Sequence, residues 1–368
     1  MVNNCVICNS DKFISHPYVN LYYLNLKYFE RDIFSDISIN TCQSCGFSQI
    51  NPYIEKDKLL SFYNVDYRGK YGCHYVSEKE IKEFVPNPDY RSLAQFLLFA
   101  EYGDLKSIKT FLDVGAGMGN SFYTLKTLGY SPQMYALEKS ETAINILSKN
   151  QVNVIKDFDH VCSLPGKYDS FFDLILSSQS LEHFNPCDIQ SALSNIYKVL
   201  CNGGCFVCDV PNDDFRKRTI RQHAPHLSFF SIESFNKILT DIGFEVVFIS
   251  SCGRNIINSN TNETKSKKAM VNNMSGRRTI VDTLHLRRFD HLKYKYKVID
   301  RLNDYRNKFS KNMNKNKYHF KMIFKTASIG RDGMLKENEL SLSAFQFSYG
   351  KNKALLRAVC RKPLDDAG

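Results

Sequence analysis

Apolar residues recur along this chain at two spacings, and the alternation between them is its first structural signal. Four short runs, Phe111 to Val114, Gln133 to Leu137, Asp173 to Ser177 and Gly204 to Val210, have the length and apolar character of buried strands, and a weaker run spans Val152 to Ile155. Helical periodicity lies around them. It covers residues 87–102, where Leu93, Phe96, Leu97 and Ala100 follow a capping Asp89, then Ser121 to Leu128, and later Ile232 to Ile242, which stops at Gly243. Strands that alternate with helices predict an α/β fold in which a doubly wound, mostly parallel sheet is covered on both faces. A strand from Phe244 to Ser250 and a last one from Ala354 to Cys360 complete the pattern, separated by roughly 100 residues.

The 368 residues are 43% hydrophobic, enough for a packed core, and they contain neither an internal repeat nor a long low-complexity tract. The beginning of the chain is polar, and no apolar run approaches the roughly 20 residues that span a bilayer. A cytoplasmic setting is therefore expected. In such a reducing compartment paired cysteines read as metal ligands rather than disulfides.

The 12 cysteines include two pairs of equal spacing, Cys5-x-x-Cys8 and Cys42-x-x-Cys45, the second followed by Gly46. Four thiolates suit tetrahedral Zn2+ and leave it no open position, so the expectation is a small structural zinc module over residues 1–75. Basic and aromatic residues are not interleaved with these cysteines, which argues against nucleic acid as its ligand.

Formal charge is +11 but unevenly spread. Between Arg254 and Lys336 stand about 21 Lys and Arg against about 6 Asp and Glu, so the rest of the chain is slightly acidic. A basic insertion over residues 252–349, between the last two strands, predicts an anionic partner such as a phosphate, an acidic sugar or a membrane surface. Tyr294, Tyr296 and Tyr305 are interleaved with its basic residues. Residues 76–251 would form the sheet core, and 350–368 its final strand and tail.

Candidate chemistry begins where the first strand of the core runs into Asp113-Val114-Gly115-Ala116-Gly117-Met118-Gly119. Glycines in such a turn let backbone approach a ligand closely. Glu138 ends the next strand, where a carboxylate accepts hydrogen bonds from ribose hydroxyls, and Asp157 follows the third. Then come Phe172-Asp173-Leu174-Ile175, Ser178, Leu181-Glu182-His183, and Leu200-Cys201-Asn202-Gly203-Gly204 before the fifth strand.

In order and spacing this set resembles the motif series of class I S-adenosylmethionine (SAM)-dependent methyltransferases, over about 140 residues from Phe111 to Ser250. The resemblance implies a Rossmann-like fold with SAM as cofactor. It places Asp113, Gly115, Ala116, Gly117 and Gly119 beside the methionine part, Glu138 at the ribose, Asp157, or its neighbour Asp159, at the adenine, and Ser178 among the cofactor-binding residues. It also implies an antiparallel pair for the last two strands.

The cysteine module followed by Asn51-Pro52, Tyr63 and Tyr67 is similar to bacterial methyltransferases of deoxysugar and surface-polysaccharide pathways, especially nucleotide-sugar C-methyltransferases. That similarity implies sugar contacts at Tyr63 and Tyr67. The segment His223-Ala224-Pro225-His226-Leu227-Ser228-Phe229-Phe230-Ser231 resembles the E-H-x-x-x-F-S segment of those enzymes, with His226 as proton acceptor, although Pro225 stands where they carry glutamate. His223 is a further substrate contact, and His183 a second candidate base. Those C-methyltransferases also carry an additional C-terminal α/β domain whose pattern is missing here, which favours O-methylation. The expected acceptor is a nucleotide sugar or an acidic glycan end, with glycan-assembly proteins as partners. The alternatives are C-methylation, a basic RNA-binding protein or RNA methyltransferase, and a non-catalytic glycan-assembly partner.

Overall fold

A computed structural model describes residues 4–18, 33–34, 36–67, 89–155, 164, 166–217, 225–255, 349 and 353–364. Asp157, Asp159, His223, Tyr294, Tyr296, Tyr305 and the basic stretch 256–348 lie outside the described residues, so the expectations placed on them do too.

The N-terminal part contains strands β1 (Phe13–Pro17), β2 (Ser38–Cys42) and β3 (Ser48–Asn51), helix α1 (Lys56–Ser61) and a π-helical continuation, Phe62–Tyr67. The α/β part follows as α2 (Tyr90–Tyr102), β4 (Thr110–Val114), α3 (Asn120–Thr127), β5 (Gln133–Leu137), α4 (Glu141–Lys149), β6 (Asn153–Val154) and β7 (Phe172–Ser178). It continues through α5 (Ile189–Val199), β8 (Leu200–Pro211), β9 (Ser228–Phe229), α6 (Ile232–Ile242), β10 (Glu245–Asn255) and β11 (Lys353–Arg361).

Seven strands form one mixed sheet in the order β10-β11-β8-β7-β4-β5-β6. Pairings among β4 to β8 are parallel, whereas β11 runs antiparallel to both β8 and β10. The antiparallel last pair was expected from the resemblance. The chain winds outward from β4 to β6, then returns to β7 on the other side of β4. This reversal creates the crevice at the carboxyl ends of β4 and β7 where α/β sheets bind ligands.

Both sheet faces are apolar because successive strand residues point to opposite sides. Leu174 and Leu176 face a core built with α2, α3 and α4, while Ile175 between them faces α5 and α6. Helix starts follow local chemistry. Asp89 caps α2 by accepting from Ser92 N at 2.8 Å, and at α6 the side chains of Ser231 and Ser234 each accept from the other's backbone N–H.

A second sheet has the order β1-β2-β3-β9. Its fourth strand comes from the segment after β8, and Cys5, Ile7, Cys42, Cys45 and Phe47 share the core that also holds α5 and α6. The cysteine segment is thus packed into the α/β part rather than hung from it. Among the described residues, no helix is long and apolar enough to cross a membrane.

Candidate active site and cysteine cluster

The crevice contains a cavity of about 250 Å³. Its walls come from the ends of β4 (Val114, Gly115), β5 (Leu137, Glu138) and β7 (Gln179, Ser180), and Tyr63, Tyr67 and His183 also line it. Gly115, Glu138, Tyr63, Tyr67 and His183, each singled out in the sequence, line this one volume.

The glycine turn is shaped by its neighbours. Gly115 has φ +77°, and a Cβ there would lie 2.0 Å from Ser180 Oγ, so only glycine fits. Ser180 holds this approach by donating to Val114 O at 2.9 Å. At Gly117, with φ +53°, a Cβ would meet no protein atom within 4 Å, so the turn leaves open room above it. Ala116 connects these glycines, and Gly119 caps α3 in a left-handed conformation.

Glu138 ties the turn to β5. Its Oε2 accepts from Gly117 N at 2.8 Å, and its Oε1 accepts from Lys139 N and Ser140 N at 2.9 Å each. Carboxylate oxygens carry further lone pairs, so Glu138 retains capacity to accept from a ribose diol. Asp113 lies deeper and is buried. Its carboxyl accepts a very short hydrogen bond from Ser121, and burial chiefly pushes its pKa up to about 7 against the lowering effect of that bond. An open glycine turn, a buried acid at its base and a carboxylate at the next strand end fit the methionine and ribose parts of SAM.

Ser178 falls elsewhere. Its hydroxyl accepts from Gln95 Nε2 at 2.9 Å, and the cavity wall is made by the next two residues, Gln179 and Ser180. Gln179 has φ +57°, which turns the chain at the strand end and exchanges which residue faces the cavity. Sequence reasoning missed both, since no motif marks a left-handed glutamine.

Among the lining residues, Tyr63 Oη lies 2.9 Å from His183 Nδ1, and the rings of His183 and His226 meet edge to face with centroids 5.0 Å apart. His183 is on the cavity wall; His226 packs behind it and is not among the lining residues. Glu182 is buried beside them, which pushes its pKa up to about 8.

Both cysteine pairs meet as expected. Cys5 and Cys45 sulfurs lie 3.6 Å apart, Cys8 and Cys42 sulfurs 3.5 Å, and all four fall within 4.8 Å of one another. Sulfurs bonded to tetrahedral zinc at about 2.3 Å stand about 3.8 Å apart, so the cluster matches that geometry. The thiols bias one another: Cys5 is drawn down to about 5, first by its hydrogen bond with Cys45, and the same contact pushes Cys45 far up. Ser231 at the start of α6 donates to Cys45 O at 2.7 Å, which fastens the knuckle to the core.

Residues 81–248 match the family model of a methyltransferase domain. No curated protein matches the chain. Similar solved structures include a SAM-dependent methyltransferase from Archaeoglobus fulgidus, 22% identical, with 50% of this chain and 86% of that chain covered and a TM-score of 0.36. Another is the 1,6-didemethyltoxoflavin-N1-methyltransferase of Burkholderia thailandensis, 19% identical, with 60% and 89% covered and a TM-score of 0.40. With the cavity at the glycine turn of a mixed sheet that reverses beside β4, the domain match identifies the chemistry: residues 81–248 carry a methyltransferase domain, and the protein is a SAM-dependent methyltransferase.

Proposed function

We propose that this methyltransferase acts on a sugar hydroxyl, carried by a nucleotide sugar or an acidic glycan end in surface-polysaccharide biosynthesis. The observation that supports the reading is that Tyr63, Tyr67 and His183, with His226 packed against His183, line the same cavity as Gly115 and Glu138. Aromatic faces and hydroxyls suit a sugar ring, which is apolar above and below and polar at its edge.

SAM supplies a methyl group already electrophilic on its sulfonium. The protein's share is to align the acceptor oxygen with that methyl, exclude water, and remove the hydroxyl proton. In this reading the turn at Gly115 to Gly119 and Glu138 orient the cofactor, and the two tyrosines hold the sugar. The proton passes to the histidine pair, with His226 as its acceptor. Zinc in the four-cysteine cluster keeps the N-terminal sheet, and so Tyr63 and Tyr67, in position. The basic stretch beyond β10 supplies charge for a phosphate or carboxylate on the acceptor.

Tyr63 and Tyr67 also suit the second reading, C-methylation of a nucleotide sugar. Incubation with methyl-labelled SAM and a panel of nucleotide sugars separates the two. O-methylation leaves every carbon-bound proton in place, whereas C-methylation exchanges one for methyl. The absence of transfer to any sugar, with transfer to RNA instead, would overturn the proposal.

A further inference from the structure

Glu182 is 1% exposed, and neither of its carboxylate oxygens has a hydrogen-bond partner. A buried carboxyl left in this state is costly, and it keeps its proton unless a cation takes that proton's place. The ligand-type atoms of Glu182, His183 and His226 all lie within 4.8 Å of one another, and the positive charge of Arg91 also acts on this carboxyl. They converge, yet the carboxylate bonds neither ring.

From this convergence we infer that Glu182, His183 and His226 form a second metal site, which takes one divalent first-row transition cation. Two imidazoles and one carboxylate on one side of a cation leave the remaining positions open, unlike the closed set of four thiolates near the N-terminus. Bonds of about 2.1 Å bring such ligand atoms to roughly 3 to 4 Å of one another, a separation that lies inside the 4.8 Å bounding this cluster.

The backbone prepares the site. Leu227 N donates to Glu182 O at 2.8 Å, and Ser228 Oγ donates to Phe184 O at 2.8 Å, so the two segments that carry the ligands are stitched together on either side of them. Tyr63 Oη at His183 Nδ1 fixes that ring's orientation, as outer partners of ligating histidines do. Tyr18 donates to His226 O at 2.9 Å and anchors the third ligand's backbone.

Because His183 is on the cavity wall, an open coordination position there would receive an acceptor oxygen. This role rests on the sugar-hydroxyl reading, and it makes His226 a ligand rather than a proton acceptor whenever the cation is bound. The metal site itself does not depend on which acceptor is used.

The test is a titration of the full-length, zinc-loaded protein with Co2+, followed by equilibrium dialysis and visible absorption. One further Co2+ should bind per chain with the weak absorption of a nitrogen and oxygen ligand set and without thiolate charge-transfer bands. Glu182→Gln, which keeps the carboxyl's shape, and His226→Ala should each weaken that binding at least about tenfold while still melting cooperatively. A failure to bind further Co2+, thiolate bands alone, or affinities unchanged in both variants would overturn the site. Failure of every sugar as acceptor would leave a positive Co2+ titration standing, and the converse holds too, so the two proposals fail separately.

Discussion

Tyr63 Oη stands 2.9 Å from His183 Nδ1 and so joins the π-helical turn of the N-terminal part to the turn after β7. A single contact thereby couples a residue supplied by the cysteine segment's end of the chain to the wall of the cavity at the glycine turn. Tyr63→Phe should redistribute the two neutral tautomers of the His183 ring, because the ring nitrogen loses the partner that distinguishes them. Ring ¹⁵N shifts measure this, and identical shifts in both proteins would show that the contact does not persist in solution.

Gly115→Ala should weaken SAM binding by at least about tenfold, equivalent to about 1.4 kcal/mol. The added methyl meets Ser180 Oγ at 2.0 Å, and φ +77° is unfavourable for alanine. Adding Ser180→Ala should restore only part of the loss, since the backbone conformation remains strained. Calorimetry with SAM and its demethylated product reads both variants.

Asp113 should make stability depend on pH. Burial raises its pKa from 3.8 to about 7, so the folded protein holds this proton more tightly than the unfolded chain. The contribution is complete below the unfolded value and is lost as pH rises through about 7. Asp113→Asn, neutral throughout, should therefore lose less stability than the native protein between about pH 5 and about pH 8, where each unit of pKa shift is worth about 1.4 kcal/mol. Parallel pH–stability curves for the two proteins would contradict this.

Asp209 and Arg357 are both fully buried and form two 2.7 Å hydrogen bonds between β8 and β11. Asp209→Asn leaves a guanidinium uncompensated and should destabilise the fold by about 3–5 kcal/mol. The double substitution Asp209→Leu with Arg357→Met should cost less than Asp209→Asn alone, because it removes both charges. Urea unfolding monitored by circular dichroism decides the order.

Elemental analysis of the purified protein should find zinc, and Cys45→Ser should lose it. The loss should also lower the melting temperature of the whole protein rather than of a detached module, since Cys5, Cys42 and Cys45 share a core with α5 and α6. A separate early transition confined to the N-terminal sheet would contradict that coupling.

Amino-acid order alone specified the alternation of strands and helices, because period-2 and period-3.6 patterns reflect burial that each element carries locally. It determined α6, Ile232–Ile242, to the residue, since a serine cap and a left-handed Gly243 are local signals. It likewise marked the glycine turn, Glu138 and the equal cysteine spacings, because their chemistry requires particular residue types a few positions apart. Tertiary structure alone decided what depends on distant segments. Ser228–Phe229 joined the N-terminal sheet through pairing with β3, a contact across about 180 residues that no local pattern carries. Gln179 turned left-handed and put itself and Ser180, rather than Ser178, on the cavity wall. Glu182 reads in the sequence as an ordinary acid before a histidine; only folding strips it of water and brings His226 beside it, because solvation and proximity belong to the packed chain.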